Sequence, residues 1–272
     1  MRIKDEVFDK LKKELFIIDV HEHIGETLGL GGRKITPEEV IKKMDLNGIE
    51  KAIISPIVGH SLLNGYKDVM RQNDYIVEAL EKYPDRFPCG LGIVNPYIGD
   101  KAVEEVHRIM GDLALKGVML HPLYQGHAID EPLFMKVYEA LSKYHKAVVL
   151  VHTDGSLEEP WRLWRPLEMF PNLTFISGHP MSTGFLHFGQ HIPLCKVFGN
   201  LYVDTALWFK DENMLPAVKT IGAKRIVFGG DLGGMATISY DLIQLLLTEV
   251  FSEEEKELIF SKNAAKIFDI KI

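Results

Sequence analysis

Eight short apolar, β-branched runs recur through the chain, each followed by a polar loop and a stretch of helical period, and this alternation restricts the fold more than any other feature. The runs are 16–20, 51–55, 89–94, 117–120, 147–151, 173–177, 201–204 and 225–228. Helical candidates fill the intervals at 37–46, 67–82, 101–110, 132–145, 161–169, 185–198, 211–220 and 238–248. A tail over 252–268 adds two short helices, the first opening on Ser-Glu-Glu-Glu with Ser252 and Glu255 at capping-box spacing. Eight strand-then-helix units in 272 residues predict an α/β fold, a (β/α)8 TIM barrel, with a doubly wound open sheet as the alternative. The barrel is preferred because the chemically competent side chains fall at the ends of nearly all the strands, which is where a barrel collects its site. No linker divides the chain, so one domain is expected over 1–272, with a short N-terminal helix and C-terminal helices.

Composition then narrows the partners. A hydrophobic content of 46% is enough for a substantial core, and a net charge of −7 without any Lys/Arg-rich block argues against nucleic acid. No apolar run approaches the roughly 20 residues of a membrane span, and the charged first 15 residues read as an amphipathic helix rather than a signal peptide. A cytoplasmic protein with a small-molecule substrate is expected, with self-association into a homo-oligomer left open. Cys89 and Cys195 lie far apart without metal-ligand spacing and read as buried thiols.

The segment Asp19-Val20-His21-Glu22-His23 sits directly after the apolar run 15–18, where the first strand should end. Residues two apart on a strand point to the same side, so His21 and His23 can share one cation. His121, His152, His179 and Asp231 follow later strands in the same way. Each has an ordinary reading, a capped core histidine or a turn aspartate. Their recurrence at matching positions argues instead for convergence on one rim. Three neutral imidazoles and one carboxylate suit a first-row divalent ion, Zn²⁺ first, with a further position open for water. Such an ion would make hydroxide available near neutral pH, with Asp231 accepting the water's proton and His179 acting as general acid/base.

The chain resembles the metal-dependent amidohydrolase superfamily, in the branch that contains aminocarboxymuconate-semialdehyde decarboxylase. The resemblance runs over nearly the whole length. It is carried by Asp19-Val20-His21-Glu22-His23, Asn73-Asp74 leading to Tyr83-Pro84-Asp85-Arg86-Phe87, Lys116 to Pro122 with Gln125, His152, Gly178-His179-Pro180, Asn200 to Asp204, Phe228-Gly229-Gly230-Asp231 and Asn263 to Phe268. It implies His21, His23, His152 and Asp231 as metal ligands and His179 as the catalytic histidine. The strand-four lysine that bridges two metals in many such barrels has no counterpart, since Met119 and His121 stand there, so one ion is expected. The leading expectation is a hydrolase acting on a small amide, lactone or related carbonyl. The alternatives are a non-oxidative decarboxylase of a small unsaturated or aromatic acid, and a metal-free barrel that only binds a ligand.

Further candidates have strong competing readings. Arg162 and Arg165 could clamp a substrate carboxylate, though arginines on a helix surface beside acids usually form solvated ion pairs. Trp161 and Trp164 could shape an apolar pocket or simply pack. His121 and Trp161, with the two arginines, are the substrate-contact candidates. His60, His127 and His187 read as surface residues, His107 and His145 receive no role, and Gly29 to Gly32 reads as a mobile first loop able to act as a lid.

Overall fold

A closed ring of parallel segments forms the centre of the computed structural model, which describes residues 15–27, 33–57, 66–180, 184–207, 215–231 and 239–272. Strands β1 (Ile18–Thr27) and β3 (Lys51–Pro56) pair in parallel. A bridge from Ile54 to Gly90 then leads into β4 (Gly92–Ile93), β5 (Gly117–Leu120), β6 (Val148–His152), β7 (Thr174–Gly178) and β8 (Leu201–Val203), neighbours in that order. The expected eighth strand is present as an extended segment over 226–228. Ile226 bridges to Val203 on one side, and on the other Val20 N donates to Phe228 O at 2.9 Å. That last contact closes the barrel, so the open-sheet alternative fails and the (β/α)8 expectation holds.

Helices fall between the strands close to the expected bounds, among them α1 (Pro37–Asn47), α2 (Tyr66–Lys82), α3 (Asp100–Met110) and, after a one-turn helix α4 (Pro122–Gln125), α5 (Pro132–Leu141). The α1 start is fixed by a full capping box, Thr36 with Glu39, and its end by Gly48 at φ 68°. The tail cap is also as expected, with Ser252 and Glu255 hydrogen-bonded reciprocally. The expected first helix, the Gly29 to Gly32 loop and His60 lie outside the described residues. Among the described residues, no helix is long and apolar enough to cross a membrane.

Strand alternation divides the apolar residues into two layers. Ile18, Val20, Ile53, Leu91, Ile93, Met119, Val148, Leu150, Ile176, Tyr202 and Val227 fill the barrel interior, with Ala264, Ile267 and Phe268 of the last helix in the same cluster. Their sequence neighbours, such as Val118, Leu120, Val149, Val151, Phe175, Val203 and Phe228, join the layer beneath the helices. Two differences from the sequence expectation bear on the site. The first strand continues to Thr27 and turns back through an antiparallel strand β2 (Arg33–Ile35), which no periodicity announced. A β-bulge also interrupts β1, since Asp19↔Ala52 is followed by Glu22↔Ile54 and three steps on β1 oppose two on β3. Without it, the phase set by Ile18 and Val20 would send Glu22 and Ile24 inward. With it, His21 and His23 turn inward and Ile24 joins the outer layer.

A candidate metal centre at the C-terminal rim

The same alternation carries one further residue per strand past the last interior layer: His121 after Met119, His152 after Leu150, Gly178 after Ile176, Asp204 after Tyr202, and Gly229 after Val227. His21, His23 and Asp231 come together, each offering a ligand atom within 4.8 Å of the others, and all three are buried. His21 Nε2 lies 3.1 Å from His23 Nε2, and Asp231 Oδ1 lies 3.7 Å from His23 Nε2. His179 borders the group, with Nε2 3.7 Å from Asp231 Oδ2 and its ring centroid 4.7 Å from that of His21. Both His179 (φ 59°) and Asp231 (φ 45°) occupy the left-handed region, a strained backbone that the surrounding hydrogen bonds must hold. His179 N donates to Asp204 Oδ1 at 3.1 Å, and Asp231 N donates to His21 O at 2.9 Å.

The proton positions follow from what each ring touches at its back. Asp204 Oδ2 sits 2.6 Å from His21 Nδ1, and Ser55 Oγ sits 2.9 Å from His23 Nδ1 while also approaching Glu22 O. A proton on each Nδ1 leaves both Nε2 lone pairs facing each other across 3.1 Å at a buried position. Two lone pairs so placed repel unless a cation joins them or one ring carries its proton on Nε2, and two nitrogens each about 2.1 Å from one ion fall near that separation. His179 Nδ1 is a further buried nitrogen with no hydrogen-bond partner among the described residues. Electrostatics agree. Burial, then the charges of His152 and His121, would push His21 down to about 3, and burial likewise holds His23 and His179 well below the usual histidine range. The rings are therefore neutral, the form that ligates metal. Burial also drives Asp204 up to about 8 and raises Asp231, to which the neighbouring carboxylates Asp204 and Asp19 add. An adjacent cation is what would relieve that cost. The residues present fit a divalent ion.

His152 is not in the tight group. Its Nδ1 lies 2.8 Å from Glu158 Oε2, and it gathers with His121 and Glu158 in a second cluster, the two rings stacked at 3.9 Å and 15°. The clusters adjoin, since His152 and His179 ring centroids are 4.5 Å apart. Arg162 and Arg165 are elsewhere occupied: Arg162 Nη1 bonds Asp130 Oδ1 at 2.8 Å with its guanidinium over Trp161, and Arg165 reaches Asp130 O. Trp161 and Trp164 are 53% and 45% exposed, so neither is a core residue. His127 pairs with Glu131 and His187 with Glu159.

Two residues that support the site were not assigned a role from sequence. Asp204 could have been, because it stands just past its strand as the histidines do. Glu158 could not, because it is six residues beyond His152 in a loop. Glycines complete the cradle: a Cβ on Gly178 would lie 2.9 Å from His21 Cε1, and one on Gly229 would lie 3.0 Å from His21 Cβ. Gly178→Ala is therefore expected to displace the His21 ring, costing about 1–3 kcal/mol of stability as overpacking does. Titration with Mn²⁺ should show weaker binding than wild type, and unchanged affinity would mean that the ring position does not matter.

A (β/α)8 barrel with histidines and carboxylates gathered at the C-terminal rim defines a class of metal-competent barrels. Residues 64–270 match the amidohydrolase family model, and the chain belongs to that family. It is similar to 2-amino-3-carboxymuconate-6-semialdehyde decarboxylase of Dictyostelium discoideum, 24% identical over 240 residues, covering 73% of this chain. The chain spans only 65% of that relative's length. Among solved structures it resembles 5-carboxyvanillate decarboxylase of Novosphingobium aromaticivorans, complexed with manganese and 4-hydroxy-3-methoxy-5-nitrobenzoic acid, with a TM-score of 0.75, 19% identity and coverage of 94% and 96% of the two chains. It also resembles 2,6-dihydroxybenzoate decarboxylase from Rhizobium, with a TM-score of 0.72, 17% identity and coverage of 94% and 99%. At these identities the structural likeness establishes the fold. The hydrolase expectation is corrected here: these relatives are decarboxylases, and the same ligands serve either chemistry, so strand-end residues alone had no means of separating the two.

Proposed function

We propose that this chain is a metal-dependent, non-oxidative decarboxylase of a small aromatic or unsaturated carboxylic acid. The observation that carries the reading is the juxtaposition of two imidazole Nε2 atoms 3.1 Å apart, from His21 and His23, with a buried Asp231 that faces His179. The decarboxylase relatives supply the reaction class. His21, His23 and Asp231 would hold one ion, with His152 completing the set from the adjoining cluster. Manganese stands beside zinc as the candidate because a relative of the same fold is described with it, and imidazole with carboxylate suits either. When bound, the ion supplies positive charge for the substrate carboxylate and its neighbouring oxygen.

The chain's own residues perform the rest. Asp204 and Ser55 fix the His21 and His23 rings from behind, so that both Nε2 atoms stay aimed into the site. His179 and Asp231, 3.7 Å apart, manage one proton between them. Decarboxylation breaks the bond from ring or chain carbon to carboxylate, the electron pair stays on that carbon, and the proton is delivered to it as carbon dioxide leaves. The His121 and His152 rings stack on each other at 3.9 Å, with Tyr124 4.1 Å from His121, and form an aromatic wall beside the metal-ligand group.

The test is a panel of hydroxybenzoates, methoxyhydroxybenzoates and enoic acids, alongside lactones and amides, with enzyme loaded with Mn²⁺ or Zn²⁺. Carbon dioxide release from a planar acid is expected. Turnover of the amides or lactones alone would overturn the assignment.

A further inference from the structure

We infer that Glu158 is a positioning residue that locks His121 and His152 together in the Nδ1–H form and so presents both Nε2 lone pairs to the site. Its carboxylate is fully buried. Oε2 accepts from His152 Nδ1 at 2.8 Å, and Oε1 accepts from Leu123 N at 2.8 Å while lying 2.7 Å from His121 Nδ1. The His121 contact is close but off the line of an ideal hydrogen bond. A bare nitrogen there would set its lone pair against a carboxylate, so the proton must sit on Nδ1 of each ring. One acid thus dictates the tautomer of two imidazoles.

The loop is built to deliver that acid. His152 ends β6, and the chain must reverse within six residues to place Glu158 behind it. The reversal runs through Ser156 at φ 57°, a left-handed conformation that is strained for a serine. Glu158 N donates to Gly155 O at 3.0 Å, closing the turn, and Ile129 N donates to Leu157 O, pinning it to the neighbouring loop. His121 is held at its own backbone, where His121 N donates to Gln125 Oε1 and Gln125 Nε2 donates to Val94 O. With both rings anchored, their 3.9 Å stack is a fixed wall of the site.

The inference rests on the proposed metal site only for its effect on affinity, and its tautomer claim stands alone. Long-range ¹H–¹⁵N spectra of metal-free, histidine-labelled wild-type protein, recorded above the histidine titration range, should show His121 and His152 protonated at Nδ1. Protonation at Nε2 in either ring would overturn it, without any variant. Glu158→Gln offers one acceptor oxygen and one donor nitrogen, so one ring should switch to Nε2–H while circular dichroism remains native. Mn²⁺ binding should weaken by about 10–100-fold, the usual loss when a group behind a ligand is removed. Unchanged tautomers in the variant would overturn the role. A tautomer switch at His152 with unchanged Mn²⁺ affinity would uphold it and remove His152 from the ligand set.

Discussion

Replacing His179 by asparagine is expected to lower the proposed decarboxylation by about 10²–10⁴-fold, the contribution of one placed acid/base group, while a divalent ion still binds. The factor equals about 3–5 kcal/mol of transition-state stabilisation. His179 Nε2 faces Asp231 Oδ2 at 3.7 Å, but His179 is not among the three residues whose donor atoms converge within 4.8 Å. Asparagine keeps a polar group near the Nδ1 position and removes the Nε2 that faces Asp231, and its tolerance of the left-handed region suits the φ of 59°. Steady-state rates and metal content measured on the same preparation check this. Loss of the ion together with activity would make His179 a ligand and reopen the two-ion reading, with His121 as a further donor.

The His21→Ala/His23→Ala double variant is expected to have the larger effect, from about one equivalent of divalent ion to none, with turnover falling to background. Both donors that face each other at 3.1 Å are removed, and Asp231 alone is too weak a site. The change also strips Asp204 Oδ2 of its partner at 2.6 Å. That buried loss costs about 1–3 kcal/mol and should lower the melting temperature. Elemental analysis of chelator-free protein reads the first effect and thermal unfolding the second. A full equivalent of metal in the double variant would remove these histidines from the site.

Strand positions and the chemical identity of the rim were legible because each rests on local signals. Interior strands of a barrel read as β-branched runs, and inward residues recur every second position, which is why His121, His152 and Asp231 could be aligned before any coordinates. The bulge between Asp19 and Glu22 was not legible. Strict alternation from Ile18 would have put His21 and His23 on the wrong face, and only pairing with β3 reveals the extra residue. The third imidazole shows the same limit. Periodicity placed His152 at the rim, but its partnership with His121 and Glu158 depends on a turn at Ser156 that no residue pattern specifies. Arg162 was open to two readings, and its neighbour Asp130, 32 positions away, sets the ion pair seen.

Whether the rim cleaves a carbon–carbon bond or adds water to a carbonyl is decided by isotope labelling of whichever planar acid is turned over. The reaction is run in D₂O and, separately, in H₂¹⁸O with the metal-loaded enzyme, and the product is read by mass spectrometry and NMR. The account predicts one deuterium at the carbon that carried the carboxylate, one equivalent of carbon dioxide, and no ¹⁸O in the organic product. Incorporation of ¹⁸O into the organic product without carbon dioxide release would contradict it.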